Sequence, residues 1–325
     1  MRVALYDRHG PAREVLRVVD TERPEPKPGE VRIKIEHSGV NPTDWKTRSG
    51  APPRPMHGFQ IPHHDGAGVI DAVGEGVDPG RIGQRVWIYL AAAGRQWGTA
   101  AEWTVVPANQ AVPLPDGVSA ELGASLGVPA MTAHRCLFAD GPIDGRTILV
   151  AGGAGAVGHF AIQLAKFFGA PGARVVTTVS SQEKAELVKN AGADLVVNYR
   201  ESSASDEISS FGRVDRVIEV ALGANLQLDL AVISPGGVIV TYAADGNNPM
   251  LPVRAFMSAN LVLRFVLLYG FPTEALKQAA KEITAALTAG ALTELPLHKF
   301  SLEDIAAAHE AVEHGAVGKV LVVPN

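Results

Sequence analysis

In this 325-residue chain, no stretch constrains the fold more than Thr147-Ile-Leu-Val-Ala-Gly-Gly-Ala-Gly-Ala-Val-Gly158. Thr147 to Ala151 is a short apolar run with β-branched character and predicts a buried strand. Gly153-x-Gly155-x-x-Gly158 follows without a spacer, where a strand should turn into a helix. Between His159 and Gly169, the residues Phe160, Ile162, Leu164, Ala165 and Phe168 recur with mixed helical spacing, which predicts a helix with one apolar face. Ala173 to Val179 then supplies the returning parallel strand. In such a βαβ unit Gly153 is expected to make the tight turn. Gly155, with Ala156 and Val157 beside it, would let a pyrophosphate approach the backbone, and Gly158 would let helix and strand pack closely. The competing reading, a glycine-rich turn in an ordinary α/β protein, fits these flanks less well.

The end of the second strand bears on which dinucleotide is bound. An NAD site usually carries an Asp or Glu about 20 residues beyond the glycines, where it holds the ribose 2′-hydroxyl. Here the strand runs into Ser180-Ser181-Gln182, and no carboxylate comes before Glu183. Hydroxyls with Lys184 close behind suit a 2′-phosphate, which a carboxylate would repel. The expected cofactor is therefore NADPH. Tyr199 and Arg200, after the apolar run Asp194 to Asn198, are placed to join the same pocket. Taken alone, Lys184 would read as a solvated helix residue.

The length favours two domains over one core. A net charge of −5 with interspersed signs gives no reason to expect nucleic acid or an anionic membrane as partner. No apolar run approaches transmembrane length, and Met1 to Tyr6 begins as a strand instead of a signal peptide. Cys136 is the single cysteine, which excludes an intrachain disulfide and a cysteine cluster for structural zinc. A cytoplasmic setting is the expectation, and Cys136 reads as a buried, inert thiol on a helix from Met131.

From Met1 to about Pro115, short strands alternate with Gly and Pro: Val3–Tyr6, Val15–Val19, Val31–His37, Gly68–Val73, Arg85–Tyr89 and Ala101–Val106. That spacing predicts a β-rich barrel or sandwich. Trp45, Trp87, Trp97 and Trp103 read as packing residues.

The pieces PxPxPGEVRIKIEHSGVNPTDWKTRSG, IPHHDGAGVIDAVGEGV, GQRVW, GTAAEW, LGVPAMTAHRCLF and ILVAGGAGAVG occur in that order. In them the chain resembles the zeta-crystallin-type quinone oxidoreductases of the medium-chain dehydrogenase/reductase superfamily, over almost its whole length. The resemblance implies an α/β protein: a Rossmann doubly wound parallel sheet over 122–286 and a GroES-like β-rich catalytic domain over 1–121, completed by 287–325. It implies an active site in the cleft of the two.

In the zinc branch of that superfamily a Cys stands at the position of Asn41 and a His-Glu pair at His64-Asp65. This chain keeps His64 but has no cysteine at 41, and a neutral amide is a poor substitute for a thiolate. No metal is expected, and His64 is read as hydrogen-bonding or touching substrate. By resemblance Asn41 points towards the nicotinamide. Lys46 would stabilise the oxyanion formed as hydride arrives, or else Asp44 and Lys46 form a surface pair holding a loop.

Residues 119–138 read as two helical segments around the turn Gly127-Val-Pro-Ala-Met-Thr132, and the resemblance puts Thr132 beside the nicotinamide. Further strands are expected at Val214–Val220 and Gly237–Tyr242, with Gly236-Gly237 a turn. Strand ends in an open parallel sheet face the ligand crevice, so Ala221, Leu222, Tyr242 and Ala243 are expected to line the cofactor. Residues 260–271 are strongly apolar. The resemblance makes them an edge strand and dimer contact, with Tyr269 and Phe271 near the nicotinamide. Glu274–Ala289 reads as a helix, and Leu295–Phe300 and Val320–Val323 as strands. Gly318-Lys319 sits just before the last of these strands, within reach of the cofactor, and carries no firm role.

The expected activity is zinc-independent, NADPH-dependent reduction of a quinone or an α,β-unsaturated carbonyl compound (enone or enal) by a homodimer. A zinc-type alcohol dehydrogenase and a non-catalytic NADPH-binding protein are the alternatives.

Overall fold

The computed structural model describes residues 1–51, 55–56, 58–169, 172–244, 246 and 248–324. The chain divides into two units, Met1–Val128 with Glu294–Asn325, and Pro129–Thr293. Asn325 itself lies outside the described residues.

The first unit opens with β1 (Arg2–Leu5), the helical turn α1 (Ala12–Val15), β2 (Arg17–Asp20), β3 (Glu30–Val40) and α2 (Pro42–Ser49). It continues with β4 (Asp65–Val73), β5 (Arg85–Ile88), β6 (Trp103–Pro107) and β7 (Ala111–Pro113). The strand expected at Val15–Val19 is in part helical. Pro11 starts a turn that buries Ala12 and Val15 on one side, and pairing with β1 begins only at Arg17.

Helix α3 (Ala120–Phe138) is continuous, where two segments around a turn were expected. Proline removes a ladder hydrogen bond and crowds the preceding turn, so a break at Pro129 is the local preference. Tertiary contacts override it. The Val128 N–H donates to Asp65 Oδ1 at 2.7 Å, so the chain beside Pro129 is satisfied by a carboxylate from β4. Cys136 on this helix is fully buried, and burial pushes its thiol up to about 12.

The second unit holds β8 (Thr147–Val150), α4 (Ala156–Phe168), β9 (Arg174–Val179), α5 (Gln182–Asn190), β10 (Leu195–Asn198) and α6 (Ala204–Phe211). Then come β11 (Val214–Glu219), α7 (Leu222–Val232), β12 (Ile233–Thr241), α8 (Val253–Ala259), β13 (Val262–Phe265) and α9 (Thr273–Thr288). Its six strands are all parallel in the order β10-β9-β8-β11-β12-β13. This is the doubly wound order, reversing between β8 and β11. The central strands β8, β9 and β11 are largely buried, and Leu149, Val176, Val217 and Ile239 form the apolar centre. Strand β12 begins at Ile233, ahead of the expected turn at Gly236-Gly237. Those glycines instead form an irregularity within the strand, where Gly236 takes φ +75° and a Cβ on Gly237 would strike Ile233 Cγ1 at 2.5 Å. The unit runs to Thr293 because α4 holds that residue: Gln163 Nε2 donates to Thr293 Oγ1 at 2.6 Å, and the Thr293 N–H donates to Gln163 Oε1 at 3.1 Å.

The chain then returns to the first unit with β14 (Leu297–Ser301), α10 (Ile305–Glu313) and β15 (Lys319–Val323). A seven-stranded sheet results in the order β14-β15-β3-β4-β5-β7, with β6 on β3. Val31, Ile33, Ile35, Ile70, Val86 and Val106 pack inside it. Of the four tryptophans only Trp87 is wholly in the core. Trp103 is half-buried, donates to Asp71 Oδ2 at 2.9 Å and carries the Arg23 guanidinium over its ring.

Candidate active site

In the second unit the glycine loop joins β8 to α4 at the point where the strand order reverses. The left-handed residue is Gly152, with φ +65°, and not Gly153 as expected. Gly153 instead makes the close packing: a Cβ there would lie 2.0 Å from Thr177 Oγ1 on β9. Gly158 fits under the loop, where a Cβ would come within 2.6 Å of Gly152 O. Gly155 differs from both, because a Cβ on it would meet only Gly152 O, at 3.4 Å. Among the described residues no other atom lies within 4 Å of that position. Gly155 is the N-cap of α4 and offers no side chain, so the first-turn N–H groups of Ala156, Val157 and Gly158 have no intrahelical acceptor. An open glycine before a run of outward N–H groups is a phosphate cradle.

The adjoining strand ends carry the rest of the expected pocket. Asn198 on β10 lies beside Val179 on β9, and the Tyr199 N–H donates to Val179 O at 3.2 Å. This brings Tyr199 and Arg200 to the edge that holds Ser180 and Ser181. Lys184 Nζ donates to Ser180 Oγ at 3.1 Å, while Ser181 Oγ caps α5 through the Lys184 N–H at 3.4 Å. A lysine and a hydroxyl therefore stand together where an NAD site has its acid.

On the other side of the reversal, Ala221 is the N-cap of α7 and Leu222 its first residue. Glu219, at the end of β11, accepts hydrogen bonds on Oε1 from the Ala221 N–H and, at 3.0 Å, from Asn225 Nδ2. Its other oxygen, Oε2, and Asp229 Oδ2 are both buried without a donor. Burial pushes both carboxyls up, and the neighbouring Glu219 charge raises Asp229 further. The Tyr242 N–H donates to Glu219 O at 3.2 Å, and the Thr241 hydroxyl to Ala243 O at 3.3 Å. Phe271 lies under the Arg135 guanidinium at 4.8 Å, and Tyr269 is in the short 3₁₀ turn after β13. Thr132 is buried on α3.

In the first unit three strand ends converge. Gly39 on β3 lies opposite Asp65 on β4, and Val40 lies opposite Val320 on β15. Asn41 therefore emerges between Asp65 and Lys319, and all three are at most 3% exposed. Asn41 Nδ2 donates to Asp65 Oδ2 at 2.7 Å, and Lys319 Nζ donates to Asn41 Oδ1 at 2.8 Å and to Val40 O at 3.1 Å. Lys319 Nζ is 3.8 Å from Asp65 Oδ2. The Asn41 N–H donates to Asp44 Oδ2 at 2.7 Å, closing the first turn of α2. Burial, with Asp65 nearby, raises Asp44 to about 8; burial raises Asp65 to about 6 and lowers Lys319. Asp44 is thus an inward cap, not half of a surface pair with Lys46. Lys46 is half-buried further along α2, with Nζ 5.8 Å from the Trp45 ring centre. His64 is buried, and its carbonyl accepts the Ala91 N–H at 2.9 Å. Its neighbour His63, at φ +76°, enters a separate polar chain, with Ser38 Oγ at 2.7 Å and His309 Nε2 at 3.0 Å.

Asp65 and Lys319 are the residues that sequence reasoning undervalued. Lys319 carries no local signal, since its place depends on β15 pairing with β3 across the length of the chain. These residues also fail to fit catalytic zinc. The Asn41 amide is engaged at both ends, and the Lys319 ammonium already stands beside Asp65. Zinc needs open thiolate, imidazole or carboxylate donors. Among the described residues no group of three or more His, Cys, Asp and Glu is arranged to hold a metal ion. No helix among them is long and apolar enough to cross a membrane.

A doubly wound nucleotide-binding unit and a β-rich unit carrying a buried polar cluster define a two-domain dehydrogenase or reductase. Residues 27–116 match the alcohol dehydrogenase GroES-like domain and residues 156–285 the zinc-binding dehydrogenase domain. The human quinone oxidoreductase is 31% identical over 99% of this chain and 97% of its own. Among solved structures, a mycobacterial protein complexed with NADPH superposes with a TM-score of 0.86 at 31% identity, covering all of both chains. The Escherichia coli quinone oxidoreductase complexed with NADPH gives 0.85 at 25%, also over all of both chains. The chain belongs to the quinone oxidoreductase family of the medium-chain dehydrogenase/reductase superfamily.

Proposed function

We propose that this protein reduces quinones or other α,β-unsaturated carbonyl compounds, enones and enals among them, with NADPH and without zinc. The observation that carries the reading is the strand-end set of the second unit. An open Gly155 before the α4 N–H groups suits a pyrophosphate, and Lys184 on Ser180 suits a 2′-phosphate that a carboxylate would repel. The NADPH complexes of the mycobacterial and Escherichia coli proteins support the same cofactor. Bound there, NADPH supplies a hydride to the acceptor. The protein's part is to orient the acceptor, exclude water and stabilise its developing oxyanion. Asn41 is the amide we assign to that oxyanion, with Lys46 and His64 as further polar contacts. Thr132, Gly153, Gly158, Ser181, Tyr199, Ala221, Leu222, Tyr242, Ala243, Tyr269 and Phe271 complete the cofactor set.

A homodimer belongs to the same reading. Among the described residues strand β13 pairs only with β12, and Val262, Phe265 and Leu267 are exposed on or beside it, an apolar edge that a second copy would cover. A reducing, cytoplasmic location accords with a lone, buried cysteine.

The test is nicotinamide consumption, followed by absorbance, against a benzoquinone, a naphthoquinone, an enone, an enal and a simple alcohol or ketone, with NADPH and NADH side by side. Turnover of quinone or enone with NADPH preferred supports the proposal. Alcohol oxidation that a chelator abolishes and zinc restores would return the protein to the zinc branch. Tight NADPH binding with no turnover across the panel would make it a binding protein.

A further inference from the structure

The Asn41–Asp65–Lys319 cluster has a feature that the activity alone does not require. A carboxamide can present either its oxygen or its NH₂ edge to a ligand, and the two have opposite polarity. Here the choice is made by the protein. The oxygen faces the Lys319 ammonium at 2.8 Å, and one Nδ2–H faces Asp65 at 2.7 Å. Asp65 is itself fixed by the Val128 N–H, and Lys319 by Val40 O. With the oxygen bonded to Lys319 and one Nδ2–H to Asp65, the remaining group of the amide is the second Nδ2–H, a donor. A neighbouring positive charge also draws density from the amide and strengthens that donor. Removal of the ammonium would free the amide to rotate and would leave Asp65 without its counter-charge.

We propose that Lys319 is a positioning residue: its buried ammonium holds the Asn41 carboxamide with its NH₂ edge set as donor to the acceptor's oxygen. It thereby supplies, at one remove, positive polarisation that zinc relatives obtain from a metal. The proposal rests on the assignment of Asn41 to the oxyanion, and its test separates the two.

Four proteins are compared: Lys319→Met, which keeps the length and loses the charge, Lys319→Arg, Asn41→Ala, and the double variant Lys319→Met/Asn41→Ala. Steady-state kinetics, NADPH affinity by fluorescence and the ¹⁵N-edited spectrum of the side-chain amides are measured for each, with the Asn41 resonance assigned by its loss in Asn41→Ala. The expected result is that Lys319→Met lowers kcat about 10- to 100-fold, less than the roughly 100- to 1000-fold that loss of an oxyanion donor itself costs, because the donor remains but is no longer held. KM for the acceptor and NADPH affinity stay within about threefold, and the Asn41 amide resonances shift. In the Asn41→Ala background the same substitution changes kcat less than about threefold, because the two act as one unit. Lys319→Arg, which keeps the charge, recovers part of the loss and reports on charge if Lys319→Met does not fold. Equal losses from Lys319→Met in both backgrounds, or an unshifted Asn41 amide, would overturn the positioning role. A full kcat in Asn41→Ala together with a shifted amide in Lys319→Met overturns the oxyanion assignment instead, and leaves Lys319 as the group that orients the amide.

Discussion

A Cβ added at Gly153 and one added at Gly155 meet very different surroundings, and the two substitutions separate packing from binding. Gly153→Ala drives a methyl to within 2.0 Å of Thr177 Oγ1, so it is expected to cost about 1–3 kcal/mol and to lower Tm. Gly155→Ala meets Gly152 O at an ordinary 3.4 Å, and its φ of −78° suits alanine. Its stability should stay within about 0.5 kcal/mol of wild type. NADPH Kd should nevertheless rise at least about tenfold, because the methyl fills the phosphate's space. Thermal melts and fluorescence titrations on both variants check this. Lys184→Ala should weaken NADPH about tenfold and leave NADH nearly unchanged, as a lost charge-assisted hydrogen bond predicts; competitive titration decides it. Which glycine turns and which packs was not legible in the motif. Gly152, Gly153 and Gly155 are interchangeable as letters, and the position of Thr177 on the next strand is what assigns Gly153 to packing.

At the scale of the element, β11 and α7 are joined by the Glu219–Asp229 carboxyl pair. Burial and the neighbouring Glu219 raise Asp229 from the usual 3.8 to about 9. The folded state therefore holds a proton that the unfolded chain releases near pH 4. A raised folded-state pKa gives stabilisation that is complete below the unfolded value and lost as pH climbs through the folded one. Stability should thus fall between about pH 4 and pH 9, as the buried pair loses the proton that burial holds on it. Asp229→Asn keeps the shape and needs no such proton. It is expected to flatten that decline and to melt about 2–4 °C above wild type at pH 9, as read from Tm against pH. Periodicity revealed neither this pair nor the continuity of α3. Pro129 signals a break, and the Asp65 carboxylate that repairs it lies 63 positions from Val128.

For the whole molecule, the proposed dimer places its contact at β13, which among the described residues pairs with β12 alone. Val262 is 44% exposed, Phe265 71% and Leu267 63%, on a strand whose other side is bonded to β12. Phe265→Lys should leave NADPH binding intact and convert the dimer to monomers in sedimentation velocity, because a charge on an edge strand opposes pairing. A monomeric wild type would remove the dimer from the reading.

Much of the architecture follows from local chemistry. The β8–α4–β9 unit, the strands of both sheets, the glycine cradle and the missing acid at Ser180 all arise from residues close in sequence. Backbone preference and hydrophobic period act at that range, so the chain determines them by itself. The Asn41–Asp65–Lys319 cluster is different in kind. Its members lie at 41, 65 and 319, and they meet only because β15 returns to pair with β3 while β4 pairs on the other side. A lysine at a strand start reads as a solvated charge, and burial turns the same residue into a fixed internal cation. Electrostatics depends on distance and dielectric, and both are properties of the folded molecule.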